Sequence, residues 1–234
     1  METTRTLSRS ATSAVSVYMR QVYGWMTAGL ALTSVVAYAV AASPAAQIAI
    51  FNNSVIPFIL IVAQFGLVIA LSAAIHKMSG TTATGLFLLY SGLTGLTLSA
   101  IFVVYPIGSI LNAFLSTTGL FLAMTVYGTV TKRDLTGMGN FLIMGLIGIL
   151  IASLVNFFLK SSMMDFVISC LGVIIFTGLT AYDTQKLREF GMAAPLDDGT
   201  AVRRGAILGA LTLYLDFINL FLMLLRLFGG GNRD

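Results

Sequence analysis

Cysteine, histidine and tryptophan occur once each among these 234 residues, and proline only four times. With Cys170 alone, no disulfide can close within the chain. Cys170 and His76 together fall short of the three or four ligands a zinc site takes. Charge is scarce as well. Only 9% of the residues are Asp, Glu, Lys or Arg, against about 25% in a soluble domain. The net charge of +4 does not make a nucleic-acid surface, because the basic residues are scattered between apolar runs rather than gathered into a patch. No nucleic-acid partner and no cofactor is expected. What is abundant is apolar: 57% of the chain, with a mean hydropathy of +0.94. The lipid bilayer is the solvent such a composition fits.

Seven apolar runs lie at roughly 21–43, 55–75, 84–105, 109–131, 140–159, 164–183 and 205–228. Each is close to the ~20 residues that a spanning helix needs. The spacing therefore predicts an all-α membrane domain over 21–228. A polar Ser/Thr-rich tail, 1–20, precedes it and a short flexible tail, 229–234, follows. Ser43-Pro44 and Tyr105-Pro106 punctuate the ends of the first and third runs, which predicts a loop over 44–54 and a tight turn at 105–106. No cleaved signal is expected, since the first run is too long for the apolar part of a signal peptide. Arg5, Arg9, Arg20, Lys77, Lys132, Arg133, Lys186, Arg188, Arg203 and Arg204 fall on the side shared with the N-terminus. Only Lys160 falls opposite before the last run. That asymmetry predicts a cytoplasmic N-terminus. Arg226 and Arg233 at the far end of the last run oppose its full crossing. Glycines inside the runs, such as Gly92, Gly95, Gly145, Gly148 and Gly172, are expected to let helices approach closely.

The last run carries an aspartate, Asp216, in its middle. A carboxylate at that depth costs at least ~2.5–3.5 kcal/mol on insertion scales, so it is expected to face a bundle interior or a water-filled cavity. At about 100° per residue, Thr212, Asp216, Asn219 and Arg226 fall in one narrow arc. On the sixth run Ser169, Gly172, Thr180 and Asp183 form a comparable stripe. If the stripes face each other and the sixth helix continues past Asp183, the two carboxyls meet. Such a pair titrates as a unit, and when charged it offers hard oxygen ligands to a cation such as Ca²⁺. Asp183 also admits a plainer reading as an interfacial helix end bonded to Lys186 or Arg188. Gln64 on the second run either lines the same interior or serves as a packing amide.

AYDTQKLR followed by LYLDFINLFLMLLRLFG strongly resembles the Bax inhibitor-1 family, also called the transmembrane Bax inhibitor motif family. YMRQVYGWMTAGL, GLVIALS and GLTGLTLSAIFVVY on the first three helices resemble its bacterial members, and the likeness runs from about Tyr18 to Gly229. The resemblance implies a seven-helix bundle with the last helix central, in a bacterial inner membrane. It implies a pH-sensitive calcium leak whose proton sensor is an aspartate pair, which carries over to Asp183 and Asp216. Bacterial relatives are also linked to regulation of a membrane protease. This chain departs from the family where some members have a cation on the second helix. Ser72-Ala73-Ala74 supplies none, and only His76 and Lys77 follow.

Three classes of function remain distinct. A passive, pH-gated calcium or cation leak leads, and a proton-coupled transporter using the same aspartates is close to it. A regulator of other membrane proteins is the second class. An enzyme is not expected: Tyr182-Asp183 matches half of an intramembrane aspartyl protease signature, but Tyr214-Leu215 stand before Asp216 where that chemistry uses glycine.

Overall fold

Each of the seven apolar runs is a helix in the computed structural model, which describes residues 2–193 and 198–229, with side chains from residue 15 onward except 193. Bare backbone cannot be left unpaired in a bilayer, so long apolar runs close their hydrogen bonds within themselves as helices. Helix α1 spans Glu2–Ala41, α3 Val55–Ala74, α4 Gly80–Leu98, α6 Ile107–Val130, α7 Thr136–Leu159, α8 Ser162–Ala193 and α9 Gly199–Gly229. Two short helices complete the set, α2 (Pro44–Phe51) and α5 (Ile101–Val104), and a 3₁₀ turn, Ile75–Lys77, extends α3. No strand occurs among the described residues. The polar segment before the first run contributes the N-terminal turns of α1, and the apolar span of that helix begins at Val15. The expected C-terminal tail beyond Gly229, with Arg233, and the loop residues 194–197 with Pro195 and Asp197 lie outside the described residues.

One expectation needs correcting. The loop expected over 44–54 is mostly a short helix, α2. Ser43 caps it by accepting from the Ala46 amide at 3.3 Å, and Pro44 stands at its first turn, where a missing N–H costs nothing. The third run also breaks at Ser99-Ala100, leaving α5 as a separate turn.

Burial inverts the pattern of a soluble protein. Phe141, Met144, Phe157 and Phe158 of α7 are each more than 70% exposed, as side chains facing lipid tails are. The apolar window of α9 is 72% buried, against 11–39% for the other six spans. The last helix is the most buried of the seven spans, as expected of a central one.

The chain divides into two compact units, and α9 supplies a buried half to each. The first contains α1 to α5, Arg188–Ala193 and α9 as far as Tyr214. There α1 lies close on α4, where Gly29 meets the Phe87 ring and Gly95 meets the Thr33 carbonyl. Tyr214 is fully buried and edge-on to Phe87 and Tyr90, with ring centroids 5.9 and 5.7 Å away. Its hydroxyl bonds Thr33 Oγ1 at 2.7 Å, and Thr33 in turn donates to the Ser91 carbonyl at 2.8 Å. These bonds satisfy a phenol that burial in an apolar interior would otherwise penalise.

The second unit contains α6, α7, α8 as far as Leu187, and α9 from Leu215. The α7–α8 connection turns on Lys160, held at φ 52° in the left-handed region, so the chain reverses within two residues. Contacts at Asp165–Arg226, Gly172–Met223 and Asp183–Asp216 set α8 and α9 antiparallel. Of the five glycines expected to pack, Gly95, Gly145 and Gly172 do, whereas Gly92 and Gly148 face open space.

Candidate functional site: an aspartate pair on two antiparallel helices

Helix α8 continues ten residues past Asp183 to Ala193, the condition for the carboxyls to meet. They do meet: the side chains of Asp183 and Asp216 lie within hydrogen-bonding reach of each other. Asp216 is 5% exposed, and its Oδ2 is buried with no hydrogen-bond partner. Asp183 is half-buried. Carboxylates have acceptors and no donor, so only a shared proton could bond two carboxyls in this arrangement to each other.

Close packing fixes where the pair sits. Gly128 of α6 lies directly on the Ala181 carbonyl and beside Thr184, so nothing larger than hydrogen fits there without moving α8 backbone. Gly139 of α7 receives the Tyr182 ring. Phe217, the neighbour of Asp216, is held edge-on by Phe121 and Phe114 of α6 at 5.5 and 5.9 Å. Gln185 clamps the α6–α7 loop: its Oε1 accepts from the Leu135 amide at 2.9 Å and its Nε2 donates to the Arg133 carbonyl at 2.8 Å. Within AYDTQKLR, Tyr182 and Gln185 thus seat α8 while Asp183 faces α9.

Lys186, one turn beyond Asp183, is the cation whose charge Asp183 feels, and its ammonium lies 5.7 Å from the centre of the Tyr182 ring. A cation missing from the second helix is therefore present on α8 itself. The plainer sequence reading, Asp183 as an interfacial helix end bonded to Lys186 or Arg188, does not hold: α8 runs on to Ala193, and among the described residues no ion pair joins Asp183 to either cation.

The remaining seam residues divide. Thr180 is fully buried and bonded to the Phe176 carbonyl at 2.8 Å. Thr212 and Asn219 likewise turn back to the carbonyls of Leu208 and Leu215. Arg226 forms an ion pair at 3.7 Å with Asp165, the single ion pair among the described residues. Gln64 belongs to the first unit and does not join the carboxyls. It donates to Thr97 Oγ1 at 2.7 Å and accepts from Thr94 at 3.3 Å, which is the packing-amide reading.

Sequence reasoning passed over three threonines. Thr125 of α6 and Thr177 and Thr184 of α8 have buried hydroxyls without a partner, in the same unit as Asp216 Oδ2. The signal was present for two of them: Thr177, Thr180 and Thr184 recur at one helical period. Among the described residues no three His, Cys, Asp or Glu side chains gather where a metal could be held. Ca²⁺ takes six to eight oxygen ligands, so two carboxyls suit a cation in passage rather than a resident one.

The family model described as "Inhibitor of apoptosis-promoting Bax1" matches residues 15–233. Inner membrane protein YbhL of Escherichia coli (strain K12) is 57% identical over 217 residues, covering 93% of both chains. A protein of Borreliella burgdorferi is 52% identical over 218 residues with the same coverage, and one of Rickettsia prowazekii is 40% identical over 232 residues, 99% of this chain and 97% of its own. Seven apolar helices, a buried last helix with an aspartate at its centre, and a matched region that spans nearly the whole sequence make this chain an integral membrane protein of the Bax inhibitor-1 family.

Proposed function

We propose that this protein is a pH-sensitive leak for calcium or a similar cation, with Asp183 and Asp216 as its proton sensor. The observation that carries this reading is a pair of carboxyls meeting inside a membrane-spanning unit, one of them buried with an oxygen free of partners. With a proton between them, the carboxyls cross-link α8 to α9. Without it, they repel and offer oxygens to a hard cation. The unpartnered hydroxyls of Thr125, Thr177 and Thr184 add neutral oxygens in the same unit. A group able to titrate on one side of a close helix contact is what couples proton concentration to helix position. The chain carries out no covalent chemistry in this account, and it needs no cofactor.

The name of the Escherichia coli relative supports an inner-membrane location. The excess of Lys and Arg on the N-terminal side supports a cytoplasmic N-terminus. On the same assignment the aspartate pair lies toward the cytoplasmic half of the span.

Calcium entry into liposomes that contain only the purified protein, followed at several pH values, tests the reading. A calcium flux that changes steeply with pH is expected. Absence of flux at every pH would remove the leak and favour the alternative, a regulator that binds another membrane protein such as a protease. Flux that requires an opposing proton gradient would identify a proton-coupled transporter.

A further inference from the structure

We propose that the first unit carries a binding site for the headgroup of an anionic phospholipid, built on Arg203 and Arg204 at the N-terminal end of α9. Both arginines are half-buried, and neither has a carboxylate partner among the described residues. Arg203 donates from Nε to Thr84 Oγ1 at 3.2 Å, its guanidinium carbon lies 5.8 Å from the centre of the Trp25 ring, and its stem covers Gly80. Arg204 donates from Nη1 to the carbonyls of His76 and Met78, at 2.7 and 3.4 Å. Those two carbonyls end the 3₁₀ turn that closes α3.

Each guanidinium is thus oriented by neutral partners and, among the described residues, keeps donors unused, both Nη atoms on Arg203 and Nε with Nη2 on Arg204. Both heads converge on one segment, 76–84, where Lys77 adds a third, exposed positive charge. Asp198, the described carboxylate nearest to them in sequence, is engaged in capping α9 through bonds from the Thr200 and Ala201 amides. Helix capping by Arg204 accounts for one nitrogen, and among the described residues no carboxylate compensates the remaining charge. Planar forks held open in this way match the oxygens of a phosphate. The cluster sits at the end of membrane spans, the level at which lipid headgroups lie and at which basic recesses between helices bind them. A free phosphate has the same chemistry but pays no part in the bilayer, so the lipid is the occupant assigned.

Native mass spectrometry of the full-length protein in detergent, titrated with phosphatidylglycerol and with phosphatidylcholine, reads the site directly. The wild-type protein should retain phosphatidylglycerol about thirtyfold more strongly, the scale expected when two arginines each contribute near a membrane surface. Arg203→Gln with Arg204→Gln should bring the two lipids to parity. Lys132→Gln with Arg133→Gln removes the same charge from the exposed α6–α7 loop and should leave the preference intact. Should the arginine pair prove necessary for folding, Arg203→Lys with Arg204→Lys keeps the charge without the forks and should lose most of the preference. Millimolar inorganic phosphate should not displace the lipid from the wild-type protein. A wild-type protein that binds both lipids equally, an equal loss in the Lys132/Arg133 control, or complete displacement by phosphate would each overturn the assignment.

Discussion

Asp216 was conspicuous in the sequence because its neighbours are all apolar, and Asp183 because it closes a run. Their meeting was legible only as a condition on α8 continuing, which it does to Ala193. Gln185 was not legible as a clamp, because its partners are backbone atoms some fifty positions away. Periodicity within one helix holds no information about such bonds. If the two aspartates form one titrating unit, Asp183→Asn and Asp216→Asn should each change the pH dependence of flux, and the double variant should be no worse than the more severe single one. Additive effects would separate the two sites. Asp134 allows a test of a different kind, outside the spans. Its Oδ1 accepts from the Thr136 amide at 2.8 Å, and the Thr136 hydroxyl and amide hold the carboxyl below its usual range. A lowered carboxyl contributes above its unfolded value and stops contributing as pH falls through its folded value. Hydrogen-exchange protection of the Thr136 amide should therefore persist through the ordinary carboxylate range and fall only below it. In Asp134→Ala it should be weak at every pH.

At the scale of elements, all seven spans were visible in the sequence, because a bilayer demands a long apolar run for each crossing. Most of their N-terminal ends lie a few residues further out than expected, and α8 runs about two and a half turns past Asp183, since polar residues such as Gln185 and Lys186 extend a helix beyond its apolar stretch. Helix α2 was hidden because composition alone reads Pro44 as a stop, whereas at a first turn it is a start. Helix contacts were the least legible feature. Gly128 was not distinguished from Gly92 or Gly148, yet only Gly128 among these three lies on another helix's backbone. Gly128→Leu should overpack the α6–α8 contact by about 1–3 kcal/mol or more. That lowers the thermal midpoint in detergent and disturbs the aspartate pair. Gly148→Leu, facing open space, should do neither. Equal effects would show that the α6–α8 approach is not tight.

For the whole molecule, the sequence supports an orientation that thiol labelling can decide. In a Cys170→Ser background, a cysteine at exposed Asn53 should react with an impermeant reagent in intact cells, and one at exposed Lys132 should not. The reverse pattern would invert the topology. Gly80 is a poor reporter for the same purpose, since Arg203 covers it. The central claim is that Asp216 makes this bundle responsive to protons. Asp216→Asn keeps the size of the side chain and removes a charge the membrane disfavours, so the bundle should fold. The amide cannot titrate and is a poorer ligand for a hard divalent cation. Leu215→Asn moves a similar polar group about 100° around the helix and should harm folding more and pH response less. The most direct measurement is calcium flux against pH for reconstituted Asp216→Asn beside the parent protein. A flux that no longer varies with pH is the result predicted here, and a flux that still tracks pH as the parent's does would contradict the account.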